Sequence, residues 1–170
     1  MYKSYYPVNF DICGKKCVVV GGGKVAERKA KSLLEFKGRV TVVAPEITSR
    51  LKKLLSERKI THISKKYDKK YIKNSAIVIG ATSDRSVNQK ISIDAKKYGI
   101  PVNIVDDPEL CSFIVPSKIK RGPLVVSIST SGQAPALSKA LRYKLQKIVT
   151  PDFGRLALKM GSKRKRNAKS

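Results

Sequence analysis

The sequence predicts an α/β fold, a Rossmann-like doubly wound parallel sheet with a small α+β dimerisation domain. Three observations carry that prediction. Short β-branched runs alternate with stretches of helical period, a glycine triplet stands where the first run meets the first helix, and the alternation stops after Asp106. Strands buried on both faces read as continuous apolar runs, and the first is Cys17-Val18-Val19-Val20, entering Gly21-Gly22-Gly23. From Val25 to Phe36, Ala26, Ala30, Leu33 and Leu34 share one helix face, and Gly38 ends that helix. Val40 to Ala44 is a second strand that stops at Pro45, followed by a helix with Ile47, Leu51, Leu54 and Leu55 inward. Ile60 to Ser64 is a third strand and Ala76-Ile77-Val78-Ile79 a fourth. Val87, Ile91 and Ala95 mark the next helix, and Val102 to Val105 the fifth strand.

Beyond Asp106, Phe113-Ile114-Val115-Pro116 and Leu124 to Ile128 are expected as strands around the turn Arg121-Gly122-Pro123. Ala136 to Val149 then forms a helix with Leu137, Ala140, Leu141, Leu145 and Ile148 inward. This second unit is too short to bury a core alone, so it must pack on the first domain or on a copy of itself, and an intertwined homodimer is expected. The resulting organisation is an NAD-binding domain over 1–112, a dimerisation and substrate domain over 113–150, and a short helical remnant with a basic tail over 151–170.

Composition narrows the class. The 170 residues are 41% hydrophobic and 29% charged, enough for a packed core and unlike a disordered chain. No apolar run approaches a spanning helix and the opening residues lack the apolar middle of a signal peptide, so the expected address is cytoplasmic with no membrane partner. Cys13, Cys17 and Cys111 make an odd count without a tight zinc spacing and read as reduced thiols. The net charge of +25 favours an anionic partner, and Lys163-Arg164-Lys165-Arg166 reads as a solvated basic tail. No helix-turn-helix or RNA-binding signature accompanies the charge, so no specific nucleic-acid partner is expected.

Gly21-Gly22-Gly23-Lys24-Val25-Ala26 fits GxGxxA. Gly21 permits the tight turn, Gly23 lets the backbone approach a pyrophosphate, and Ala26 lets the helix sit close to the sheet. Glu46, at the end of the second strand, is spaced to meet the adenosine ribose, which favours NAD over NADP, although Lys24 and Arg28 oppose that preference. Glu46 reads equally as an acid in the first turn of the following helix. Ligands of such sheets bind at the carboxyl ends of the strands, which brings Gly21 to Val25, Ala81 to Asp84 and Asp106-Asp107 to one crevice. There Thr82 and Ser83 can bond ribose or nicotinamide, or Ser83 or Asp84 can simply cap a helix.

Chemistry has few carriers. His62, the single histidine, lies in the third strand and reads as structural; no GxSxG or HExxH is present. Asp106 can accept a proton or ligate a hard or borderline metal, or serve only as a turn residue. Ser129, Thr130, Ser131 and Gly132 lie between a strand and a helix, where hydroxyls and the helix N-terminus suit carboxylate or phosphate groups or merely cap the helix.

With these segments in place, the chain resembles the precorrin-2 dehydrogenase family, the dehydrogenase and chelatase module of siroheme synthases. The resemblance rests on Val19 to Lys29, Val42 to Glu46, Ala81-Thr82-Ser83-Asp84, Val102 to Ile114, and Arg121-Gly122-Pro123-Leu124 through Ser129-Thr130-Ser131-Gly132. It implies NAD-dependent oxidation of precorrin-2 to sirohydrochlorin, and in bifunctional members insertion of Fe2+ as a substrate to give siroheme. It also implies a homodimer. Asp106 is the position implied for both dehydrogenation and chelation. Cofactor contacts are implied at Gly23, Lys24, Val25, Pro45, Glu46 and Thr82, joined by Gly21, Gly22 and Ser83 of the same loops, and Thr130 lies in the implied substrate region. The chain departs from longer relatives in having only Pro151 to Met160 and a basic tail where they continue into a helical domain. The competing expectation is a regulatory protein that responds to NAD or tetrapyrrole through its basic surface.

Overall fold

A computed structural model describes residues 4–167, with side chains through Arg164. The opening Met1-Tyr2-Lys3, the final 168–170 and the side chains of Lys165, Arg166 and Asn167 lie outside the described residues. The described residues form two compact units, one from Tyr6 to Ile114 and the other from Val115 onward together with Ser4 and Tyr5.

The first unit is a five-stranded parallel sheet in the order β3-β2-β1-β4-β5, built from β1 (Lys16–Val20), β2 (Arg39–Val43), β3 (Ile60–Ile63), β4 (Ile77–Gly80) and β5 (Val102–Ile104). Its helices are α1 (Lys24–Glu35), α2 (Ser49–Ser56) and α3 (Arg85–Lys97). Alternation along each strand divides the core in two. Cys17, Val19, Val40 and Val42 meet Ala26, Ala30, Leu33 and Leu51 on the α1–α2 face, while Val18, Val20, Val43 and Val78 meet Ile91, Ala95 and Ile72 on the α3 face. After β3 the chain crosses to the α3 face through a short 3-10 turn at Lys69–Tyr71, so β1 and β4 flank the point where strand order reverses.

Two local expectations change here. Leu55 points to solvent, because α2 starts at Ser49 and only Leu51 of that helix is fully buried. At the end of α1 the left-handed residue is Lys37, at φ 61°, and not Gly38. Gly38 is required for another reason: a Cβ there would lie 2.9 Å from Cys17 Sγ.

The second unit is an antiparallel hairpin of β6 (Ser117–Arg121) and β7 (Leu124–Ile128), with α4 (Pro135–Ile148) and α5 (Pro151–Asn167). The strand expected at Phe113 to Pro116 is absent. Phe113 packs on the α1–α2 core, and the two-residue loop at Gly122-Pro123 pairs Arg121 with Leu124, which fixes β6 as Ser117–Arg121. Only Ile119 of β6 is buried. The inward face expected for α4 is borne out only at Leu145, which is half-buried: Ser138 is the helix's buried residue, whereas Leu137, Ala140, Leu141 and Ile148 are exposed. The expected short remnant after residue 150 is instead a continuous helix through the backbone of the basic block. Gly154 makes that packing possible, since a Cβ there would lie 2.5 Å from the Arg121 carbonyl oxygen. No helix among the described residues is long and apolar enough to cross a membrane.

Candidate functional site: a cleft at the carboxyl ends of the strands

The first unit carries a cleft of about 1100 Å³ over the switch point, lined by the glycine turn, Pro45, Glu46, Thr48, Lys65, Lys66, Tyr67, Ala81 to Asp84 and Asp106, among others. The three strand ends expected to share a crevice therefore do so. The reasons for the glycines differ. Gly21 has φ 123° and a Cβ would lie 2.3 Å from the Ala81 carbonyl oxygen; a Cβ on Gly22 would lie 1.8 Å from that of Glu46. Gly23 meets nothing within 4 Å. The first two glycines let the loops after β1, β2 and β4 close on one another, and the third leaves open space on the cleft side.

Gly23 is also the N-cap of α1 and offers no side-chain hydrogen bond to the first turn. The first-turn amides of α1 thus face the cleft with the positive end of the helix behind them, which is the arrangement that holds a dinucleotide pyrophosphate. The residues present fit an NAD(P) cofactor.

The cleft wall after β2 is stitched together by hydrogen bonds to the loops after β1 and β3. Thr48 N–H donates to the Gly22 carbonyl at 3.0 Å, Thr48 Oγ1 donates to Glu27 Oε2 at 3.0 Å, and the same hydroxyl caps α2. Lys31, at 2.7 Å, is the chief cause holding the Glu27 carboxyl below its ordinary pKa, with Thr48 adding to it. His62 bonds the Ala44 carbonyl at 2.8 Å, and Ser64 Oγ donates to that of Pro45 at 2.9 Å. His62 is therefore structural, yet it braces the turn that presents Glu46. Glu46 is exposed, lines the cleft and lies before the start of α2, so it is not a first-turn acid of that helix.

The β4 loop resolves the remaining alternative. Asp84 is the N-cap of α3: its Oδ1 accepts from Ser86 N–H, Ser86 Oγ and Val87 N–H at 2.9, 2.7 and 3.2 Å. The Ser86 hydroxyl, then the Val87 amide, hold its carboxyl below the usual value. Ser83 is left exposed on the cleft wall. Thr82 is committed to the loop: its Oγ1 lies 3.0 Å from Asn88 Oδ1, and Asn88 Nδ2 donates to the Thr82 carbonyl.

Asp106 follows β5 in the left-handed region at φ 61°, a conformation tolerated by few side chains besides Asn and Asp and concentrated at functional sites. The loop beyond it is folded back on β5. Ser112 Oγ accepts from Val102 N–H at 2.8 Å, Cys111 Sγ accepts from Ile104 N–H at 3.1 Å, and Ser92 Oγ donates to the Leu110 carbonyl at 2.6 Å. Below this loop Lys29 reaches Asn103 Oδ1 at 3.3 Å, and burial pushes its amine below the ordinary lysine pKa. Among the described residues no three His, Cys, Asp or Glu side chains come close enough together to hold a metal ion.

In the second unit Ser131 and Gly132 adopt φ 53° and 82°. Ser129 Oγ accepts from Ser131 N–H, and Thr130 Oγ1 accepts from Ala134 N–H, so two of the expected substrate hydroxyls shape their own loop. Sequence reasoning missed Lys65, Lys66, Tyr67 and Asn88. The first three leave β3 without any motif. Asn88 carried a signal, a polar residue on the inward face of α3, where it is buried.

The comparisons agree with this geometry. A family model described as "Putative NAD(P)-binding" matches residues 8–117. A siroheme synthase of Nitrosomonas eutropha is 42% identical over 154 residues, covering 90% of this chain and 32% of that protein. One from Nitrosospira multiformis is 42% identical over 167 residues, covering 96% and 35%. The chain thus spans about a third of the length of these siroheme synthases. The solved structure "SirC, precorrin-2 dehydrogenase" superposes with a TM-score of 0.72 at 26% identity, over 91% of this chain and 76% of that one. A glycine turn shaped for a pyrophosphate, in a sheet of this order and with these relatives, places the chain in the NAD(P)-binding family that includes the precorrin-2 dehydrogenase module of siroheme synthases.

Proposed function

We propose that this protein oxidises precorrin-2 to sirohydrochlorin with NAD as the hydride acceptor. The observation that carries the reading is that Asp106 and the glycine turn line one cleft. The relatives named siroheme synthase and precorrin-2 dehydrogenase supply the substrate class.

The chain's own residues divide the work as follows. Gly21 and Gly22 close the turn, Gly23, Lys24 and Val25 meet the pyrophosphate, and Pro45 and Glu46 meet the adenosine ribose, which favours NAD over its 2′-phosphorylated form. Thr82 holds the β4 loop in shape and Ser83 faces the nicotinamide side. The bound nicotinamide supplies the hydride-accepting carbon. Asp106 takes the proton released from the substrate; the extending conjugation of the macrocycle drives the rest, so one carboxylate suffices. Ferrous iron enters as a second substrate, passing Asp106 on its way into the macrocycle.

The Ser129 to Gly132 loop reaches substrate through its backbone and the Ser131 hydroxyl. The homodimer is favoured by Leu137, Leu141 and Ile148, which form an exposed apolar stripe on α4. The reading places the protein in the cytoplasm, with neither a membrane nor a specific nucleic acid as partner. Its test is an anaerobic assay with enzymatically made precorrin-2 and NAD, followed by absorbance, with ferrous iron then added. Sirohydrochlorin formation supports oxidation, and accelerated loss of sirohydrochlorin on adding iron supports chelation. A folded protein that binds NAD and produces no spectral change overturns the reading.

A further inference from the structure

A second hollow, of about 380 Å³, adjoins the main cleft and is lined by Ser83, Arg85, Asn88, Val105, Asp106 and Asp107. Ser83, Val105 and Asp106 belong to both walls, so Asp106 stands at the junction of the two spaces. We propose that this hollow is a carboxylate subsite that seats one acidic arm of the substrate, with Arg85 as the residue that recognises it. The inference rests on the oxidation reading above and adds a specificity determinant to it.

Arg85 is the one cation lining the hollow. Its Nε lies 3.7 Å from Asp107 Oδ2, and its side chain is 81% exposed. That contact is too long for a hydrogen bond and lies on the Nε side, so the five N–H donors of the guanidinium are open to a second carboxylate. No other described side chain claims them. Asn88 cannot take this role, because both ends of its amide are occupied by Thr82. The Ser83 hydroxyl is the remaining neutral donor at the rim.

Two carboxylates also face the hollow, and each has its own assignment. Asp107 is paired with Arg85, and Asp106 faces the reacting centre. Lys24 and Lys90 on the adjoining cleft, in a chain of net charge +25, keep the surrounding potential positive. The hollow is too small for a tetrapyrrole ring and large enough for an acetate or propionate arm. An oxidised nicotinamide, being cationic, is disfavoured beside Arg85. An arm fixed here holds the macrocycle edge against Asp106.

The test uses full-length protein and sirohydrochlorin as the probe, read by its fluorescence, with NAD affinity measured separately by calorimetry. Arg85→Gln should weaken sirohydrochlorin binding about tenfold and Arg85→Glu more, while Arg85→Lys stays within about threefold of wild type. The Arg85→Gln deficit should shrink in high salt. NAD affinity should stay within about twofold throughout, and in turnover the loss should fall on KM for precorrin-2 with kcat little changed. Weakened NAD binding with unchanged sirohydrochlorin binding overturns the inference and gives the hollow to the dinucleotide. Unchanged binding of both overturns it as well, with the oxidation reading intact. A wild-type protein that binds NAD but no sirohydrochlorin overturns both.

Discussion

The two units of this molecule are finished to different degrees. In the first, the central strands β1 and β4 and the edge strand β5 are buried almost throughout, and Cys17, Val18, Val19, Val42, Val78 and Val102 are almost wholly excluded from solvent. In the second, Ile119 is the one large apolar side chain fully buried among the described residues, while Leu137, Leu141, Tyr143, Ile148, Phe153, Leu156, Leu158 and Met160 stand about 40% to 66% exposed. Exposed apolar surface on that scale is what the homodimer proposed above would cover. Cofactor binding is thus a property of the closed unit, and that proposed homodimer would cover the open one.

That division predicts which changes separate the two. The largest effect belongs to Asp106→Asn, which keeps a side chain suited to φ 61° and removes the charge. Precorrin-2 oxidation should fall by a factor on the order of 10²–10⁴, with NAD affinity within about twofold, checked by single-turnover absorbance and calorimetry. Next, Leu141→Lys should convert a dimer to a monomer in sedimentation velocity and leave NAD binding untouched. A wild-type chain that sediments as a monomer with full activity would break the comparison outright.

Within the closed unit the glycines provide a finer cut. Gly22→Ala drives a Cβ into the Glu46 carbonyl and should cost about 2 kcal/mol of stability in thermal melts. Gly23→Ala should leave the melt nearly unchanged and weaken NAD binding, because its Cβ enters only the ligand's space. The smallest expected effect is with acid. Asp84 and Glu27 have depressed folded pKa values, so their stabilisation is complete above the unfolded carboxylate range, near pH 4, and is lost as pH falls through the folded values. Asp152 is the only acid beyond Glu109, so a melt followed against pH should show acid sensitivity arising in the first unit.

The same contrast explains what the sequence disclosed. Its βα units were readable because a two-faced parallel strand leaves a continuous apolar run, and because Gly21-Gly22-Gly23 marks where strand becomes helix. In the second unit the same reasoning failed twice. Ser117-Lys118-Ile119-Lys120-Arg121 pairs through the register of its turn and buries one side chain, so the more apolar Phe113 to Pro116 outcompeted it on the page. Leu137 and Leu141 of α4 obey helical period yet face outward, since periodicity marks a shared face and not the direction in which its cover lies. In the site, motif-bearing loops were legible, whereas Lys65 to Tyr67 entered the cleft only through the path of the chain after β3.

Two of the three glycines in the turn are demanded by neighbouring backbone at Ala81 and Glu46, so the loop holds its shape for reasons internal to the fold. A cradle rigid before its ligand arrives loses little conformational entropy when it is filled. Dinucleotide association should therefore be a single fast phase in stopped flow, its observed rate rising linearly with cofactor concentration and showing no plateau from a slow rearrangement.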